Sequence, residues 1–284
     1  MSQKDTAEKI LMSYNDVFAD VVNVLMFDGE RVIQPDDLRD QTRRSAYKAD
    51  GKLREIERDV AKHWDKNNIR IACLGVENQS APDRDIVLRV YGYDGAEYRW
   101  QLTKANEGKN RYPVITLVLY FGEKRWNGPL TLYDRLDIPD KLKPFISDVR
   151  VNLIEVAYLD PETVSKFQSD FRIVADYFVQ KRLNGVYEPT TYRIEHVQET
   201  LQLLSVMTQD HRFEDILDNS SELKEGVNMC EVLDLFEQRG IEKGESKVVT
   251  LLNRLRALGR IDDVFKALQD PDYRSKLYKE FNIV

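Results

Sequence analysis

Cysteine is scarce, with two residues, Cys73 and Cys230, in a chain of 284. Two thiols so far apart make neither a disulfide framework nor a zinc site, and Cys73 reads as a small apolar residue. Long apolar runs are missing as well. No stretch approaches the ~20 residues that a membrane span needs. The opening segment Met1–Glu8 leads into mixed charge with no apolar stretch or cleavage site, so no signal peptide is expected. A cytoplasmic protein without membrane contact is the resulting expectation. No glycine-rich phosphate loop, Ser/His/Asp arrangement or His/Cys metal spacing occurs. Positive charge is in deficit: the net charge is −7, which argues against a dedicated nucleic-acid coat protein. The deficit is uneven, however. Residues 39–70 carry ten Lys and Arg against six Asp and Glu, while residues 209–284 carry twelve against sixteen. A basic region beside a site and an ordinary solvated surface both fit that distribution. What is present in quantity is 42% hydrophobic and 32% charged residues, the balance of a folded globular chain with ample core.

The stretch Arg70 to Ser80, Arg-Ile-Ala-Cys-Leu-Gly-Val-Glu-Asn-Gln-Ser, is an apolar run that ends abruptly in polar groups. Alternation along a strand puts Ile69, Ile71, Cys73, Gly75, Glu77 and Gln79 on one face. That face is apolar until a carboxylate and an amide close it. An unpartnered charge is expensive to bury, and a bound cation would supply the partner. Upstream, Arg58–Trp64 is a second strand, and Asp65-Lys66-Asn67-Asn68 is the turn between the two. Asp59 then runs antiparallel towards Glu77. A turn centred at 66–67 sets Asp59 opposite about residue 74, so bringing it level with Glu77 requires a bulge or a lopsided loop.

The spacing of Asp59, Glu77 and Gln79 resembles the PD-(D/E)XK nuclease core, with Gln79 where the commoner pattern has Lys. Longer stretches are more specific. They are Ile71-Ala-Cys-Leu-Gly-Val-Glu-Asn-Gln-Ser80, Tyr91-Gly-Tyr-Asp-Gly-Ala-Glu-Tyr-Arg99, Tyr112-Pro-Val-Ile-Thr-Leu-Val-Leu-Tyr-Phe-Gly122 and Phe167-Gln-Ser-Asp-Phe-Arg-Ile-Val-Ala-Asp-Tyr-Phe178. Together they resemble the YhgA-like transposases, also called recombination-promoting nucleases, over roughly residues 10–245. The resemblance implies an α/β fold: a restriction-endonuclease-like PD-(D/E)XK core, a mixed sheet flanked by helices, with an all-α C-terminal region. It implies a metal-dependent endonuclease acting on DNA. Asp59 and Glu77 would hold Mg2+, with Mn2+ or Ca2+ as substitutes, and Gln79 would orient the attacking water. Asp20, on the helix before the sheet, is the candidate for a further acid; the alternative is that Asp16 and Asp20 are two surface acids on an ordinary helix. Arg43, Arg44 and Arg89 are candidates for contact with phosphate oxygens, since arginine offers a bidentate fork; solvated charge is the alternative for each. A catalytically idle DNA-binding or assembly protein of transposon origin is the competing reading.

The rest of the chain reads in order. Ile10, Leu11, Tyr14, Val17, Phe18, Val21, Val22 and Leu25 recur at helical spacing over residues 4–26, and Pro35–Leu38 opens a short helical turn. Residues 86–105 are expected to be helical with Leu88, Tyr91, Tyr98 and Leu102 as their apolar spine. Tyr112–Phe121 is a central buried strand, β-branched and apolar on both faces. Arg150–Leu159 is another strand. Asp160-Pro-Glu-Thr163 starts a helix, with a capping Asp and Pro at the first position, running to about Arg182. Beyond Tyr192 four helical segments are expected: 194–207, 223–238, 247–258 and 261–268, and Arg239–Glu245 resembles the hinge found late in the YhgA-like family. This gives a nuclease-like domain over residues 1–190 and a helical region over 191–284. An apolar stripe on its last helices fits either packing onto the body or self-association, which makes that region a candidate unit for homo-oligomerisation.

Overall fold

The computed structural model describes residues 10–40, 45–49, 52–56, 60–67, 69–76, 83–103, 108, 110–208, 210, 212–217 and 226–283. Its strands are β1 (Leu38–Asp40), β2 (Ser45–Ala49), β3 (Lys52–Ile56), β4 (Val60–Trp64), β5 (Ile69–Val76), β6 (Val114–Tyr120) and β7 (Asn152–Glu155). Five of them form a mixed sheet in the order β1-β4-β5-β6-β7, and β2 and β3 pair as a separate hairpin. The expected hairpin is the antiparallel pair β4–β5. Its register runs from Trp64 opposite Ile69 to Val60 opposite Cys73, so its centre falls between residues 66 and 67. A long crossover then makes β6 parallel to β5, and β7 is parallel to β6. Placed between two parallel neighbours, β6 buries Leu117, Val118, Leu119 and Tyr120. The expected strand at 150–159 is shorter: after β7 the chain turns through a 3-10 turn at Val156–Tyr158.

Helices cover both faces of the sheet. Helix α1 (Asn15–Phe27) turns Val17, Phe18, Val21 and Val22 inward, as a one-sided apolar stripe dictates. On the same side Lys62 of β4 is fully buried. Its ammonium donates to Ser13 O, Asn15 Oδ1 and Asp40 Oδ1, each at 2.6 Å. Helix α2 (Ile86–Gln101) is the crossover and lies on the other face, where Ile86, Val87 and Val90 pack with Val118, Val151 and Leu132 of the short helix α3 (Leu132–Arg135). The expected spine of α2 is corrected here. Leu88, Tyr91, Tyr98 and Leu102 are exposed, and the buried face continues from Val90 through Glu97 to Gln101. Those polar residues have partners: Glu97 accepts from the Tyr112 hydroxyl at 2.7 Å, and Gln101 exchanges two hydrogen bonds with the Tyr112 backbone. Asp94, one turn earlier, accepts from Thr116 Oγ1 at 2.7 Å. Satisfied polar groups can be buried, and apolar periodicity does not register them.

The expected long helix after Asp160 is two helices, α4 (Pro161–Lys166) and α5 (Phe171–Asn184). Asp160 does cap the first, accepting from Thr163 N at 2.8 Å. The break at residues 167–170 arises because Asp20 accepts the backbone N–H groups of Gln168 and Ser169. Helices α6 (Val197–Thr208) and α7 (Arg212–Leu217) follow, then α8 (Met229–Ala257), α9 (Ile261–Gln269) and α10 (Pro271–Glu280). The chain divides into two compact units, Met1–Val227 and Asn228–Val284. The expected boundary at 190/191 falls inside the first unit, because Ile194 N donates to Val227 O and the α5–α6 connection is hydrogen-bonded to Asp170. In the second unit the expected hinge at 239–245 is uninterrupted helix. Gly240 and Gly244 weaken α8 by about 1 kcal/mol each relative to alanine, which does not break a helix of 29 residues capped by Asn228 and Glu231. Leu251, Leu255, Val264, Ala267 and Leu277 form that unit's core. Among the described residues no helix is long and apolar enough to cross a membrane.

Candidate functional site

Of the residues singled out from sequence, Asp59, Glu77, Gln79, Arg43 and Arg44 lie outside the described residues. Asp20 and Arg89 are described, and they engage different partners. Arg89, near the start of α2, pairs with Asp83 at 2.6 Å. Asp20 projects from α1 and spends one oxygen on three donors: Gln168 N and Ser169 N at 2.8 Å and Ser169 Oγ at 2.7 Å. His63 meets the Tyr112 ring edge-on at 5.0 Å between centroids.

Because α1 commits its apolar stripe to the sheet, its opposite side carries Asp16, Asp20 and Asn23 at successive turns. These line a cleft of about 200 Å³ together with Arg31, Gln34, Ser169 and Glu195. Asn23 fixes one wall, exchanging two hydrogen bonds with the Ile33 backbone at 2.8 and 2.9 Å. The segment leading into α6 forms another. There Asp170, 2% exposed, accepts from Glu195 N at 3.1 Å and His196 N at 2.5 Å. Burial raises the Asp170 carboxyl above the usual range, although those two N–H groups pull it down.

Asp16 and Glu195 line the cleft, and His196 joins them at its edge through Asp16. The His196 Nε2 lies 2.9 Å from Asp16 Oδ2, and its ring stacks on Tyr14 with centroids 3.8 Å apart. The Tyr14 hydroxyl donates to Glu199 Oε1 at 3.0 Å, and that bond is the main cause of its raised pKa. One ligand atom each from Asp16, Glu195 and His196 lies within 4.8 Å of the others. Sequence reading missed Glu195 and His196. With Asp16 and His196 180 positions apart, no local spacing signals the cluster. The one available sign was the adjacent polar residues Glu195 and His196 directly ahead of an apolar helix.

The architecture is that of an α/β domain with a mixed sheet between helices, followed by a helical unit. Within that class the chain belongs to the family described as "Putative transposase, YhgA-like", whose model matches residues 49–211, more than half of its length. The matched span includes Asp59, Glu77, Gln79, Arg89, Glu195 and His196 and leaves out Asp16, Asp20, Arg43 and Arg44. No curated protein and no solved structure matches the chain.

Proposed function

We propose that the chain is a metal-dependent endonuclease that hydrolyses phosphodiester bonds in DNA, related to the recombination-promoting nucleases. Membership of a transposase family carries the reading, since a transposase acts on nucleic acid. The sheet supports it: it is mixed and flanked by helices, as the resemblance to a PD-(D/E)XK core implies. The strand ends that adjoin Asp59 and Glu77 in sequence, Val60 and Val76, also belong to the same end of the β4–β5 hairpin. For the two acids to act together they must share a face. The register pairs residues of unlike parity, Val60 with Cys73 and Lys62 with Ile71. The reading therefore requires one inserted residue between that pairing and the acids, a bulge of the kind common beside active sites.

Asp59 and Glu77 offer the oxygen donors that suit a hard cation such as Mg2+, with Mn2+ or Ca2+ as substitutes. When bound, the ion supplies a water of lowered pKa and offsets charge growing on the phosphate. Gln79 orients the water through its amide but carries no charge and takes no proton. Arg43 and Arg44 would fork onto phosphate oxygens, as would Arg89, one of whose terminal nitrogens is engaged by Asp83. Purified protein is expected to nick supercoiled plasmid in Mg2+, and the Asp59→Ala variant to lose at least about a hundredfold in rate, worth roughly 2.7 kcal/mol in the barrier. Equal nicking by both proteins removes Asp59 from the site. An inert wild type across Mg2+ and Mn2+ favours the idle DNA-binding alternative.

A second element of the reading is self-association through the C-terminal unit. It is favoured by Ile261, Phe265 and Leu268, which are exposed along one side of α9.

A further inference from the structure

We infer that Asp16, Glu195 and His196 form a binding site for a borderline divalent metal ion such as Zn2+ or Co2+, built from residues other than the proposed nuclease acids. The donor set selects the class of ion. An imidazole nitrogen with two carboxylate oxygens suits zinc and its neighbours, whereas Mg2+ and Ca2+ take oxygen alone. The spacing is near what coordination needs. Ligand atoms about 2.0–2.1 Å from a common ion sit about 3.3 Å from one another in a tetrahedron. His196 Nε2 and Asp16 Oδ2 are already 2.9 Å apart, and all three donors fall within 4.8 Å. Glu195, the exposed member of the three, is the donor that has to close the remaining gap. Three protein donors would leave the fourth position of a tetrahedral site for water, the open arrangement of catalytic zinc sites, and two of the three, Asp16 and Glu195, line the cleft.

The support behind the donors is built rather than incidental. Buried Asp170 pins the backbone of both Glu195 and His196. Tyr14 fixes the imidazole plane by stacking. Asp20 holds the 168–169 segment that leads to Asp170. These contacts fix the place and the plane of the imidazole before any ion binds. The charge balance also calls for a cation. Asp16, Asp20 and Glu195 line the cleft, and Arg31 is the one lysine or arginine among its lining residues. The field reaches neighbouring groups: Asp20, Asp170 and Glu195 all add to the rise that burial imposes on the Tyr192 hydroxyl.

The test uses the full chain, no DNA, and two ions. Titration calorimetry with Zn2+ should show a site that weakens at least about a hundredfold in His196→Ala and at least about tenfold in Glu195→Gln, and that is unchanged in Glu77→Gln. Added Co2+ should give a visible absorption band that His196→Ala abolishes. Glu195 is exposed, so Glu195→Gln decides the matter should the histidine variant fail to fold. Absence of binding to the wild type overturns the site, as does binding that Glu195→Gln leaves at full strength. Loss in Glu77→Gln alone assigns the ion to the nuclease acids and equally overturns it. Since the readout is binding, its failure leaves the nicking experiment untouched, and the reverse also holds.

Discussion

Lys62 has a fully buried side chain, yet its partner Asp40 is 74% exposed. The two members of the pair are therefore not equivalent. Removing Asp40 leaves an ammonium buried among neutral acceptors, and uncompensated buried charge costs about 3 kcal/mol or more. Removing the charge itself, in Lys62→Met, keeps the shape of the stem and strands only the Asn15 amide oxygen and the Ser13 carbonyl, about 1–2 kcal/mol. Urea midpoints should thus fall further in Asp40→Ala than in Lys62→Met, and the double variant should be no worse than Lys62→Met alone. The reverse order would mean that water screens the ammonium. Asp210 gives a prediction of the pH dependence. Its hydrogen bonds to Arg212, the closest at 2.6 Å, lower its pKa against an opposing effect of burial. A carboxyl with a lower pKa folded than unfolded adds stability that is complete above the unfolded value, about 4. That stability is lost as the pH falls through the lowered folded value. Arg212 is mostly exposed, so the contribution stays below about 1 kcal/mol. Asp210→Asn should be less stable than wild type near pH 6, and the gap should close by about pH 2 to 3; a constant gap would rule out the ion pair as its source.

At the scale of elements, Gly122, just past the end of β6, lies against the Tyr120 ring. A Cβ at that position would overlap the ring carbons and the hydroxyl. Tyr120 is 3% exposed and edge-on to Trp126 at 5.2 Å, so it has no room to swing away. Gly122→Ala should destabilise by about 1–3 kcal/mol, as overpacking does, and most of that cost should vanish in a Tyr120→Leu background. A cost that persists there would place the constraint in the backbone. The strand itself was legible, since a β-branched run apolar on both faces has few other places than the middle of a parallel sheet. The β4–β5 turn was legible from its polar cluster, and the α4 start from Asp160 and Pro161. What escaped was tertiary in origin. The face of α2 was misassigned because Glu97 and Gln101 are buried through bonds to Tyr112, from another element. The 160–182 helix breaks because Asp20, some 150 positions earlier, takes its N–H groups. The Asp16–Glu195–His196 cluster is assembled by the same long-range contacts, so the family resemblance led to Asp59 and Glu77 and was silent about it.

For the molecule as a whole, two compact units with separate cores raise the question of what the smaller contributes. Helix α9 is apolar on two sides. Val264 and Ala267 are buried in the unit's core, while Ile261, Phe265 and Leu268 are exposed by 49%, 63% and 52%. Spacing of i, i+4 and i+7 makes these three one stripe along the helix. Scattered exposed apolar residues need no explanation, but a contiguous stripe favours burial against another surface. A second copy is the simplest occupant, because a two-fold interface needs only one self-complementary patch. Fully burying such a side chain is worth roughly 1.5–3 kcal/mol; these three are already about half covered, so roughly half of that remains for each. Set against the cost of association, two stripes give at most a modest dimer that dissociates on dilution. Light scattering behind size exclusion should give a mass near twice the monomer's 33.2 kDa for the full chain at high concentration, falling on dilution. Phe265→Glu with Leu268→Glu should hold it at the monomer mass while leaving the helical circular-dichroism signal unchanged. Val264→Glu, aimed at the core, should lower that signal instead, which separates loss of association from loss of fold. A full chain that stays monomeric at every concentration assigns the stripe to some other partner.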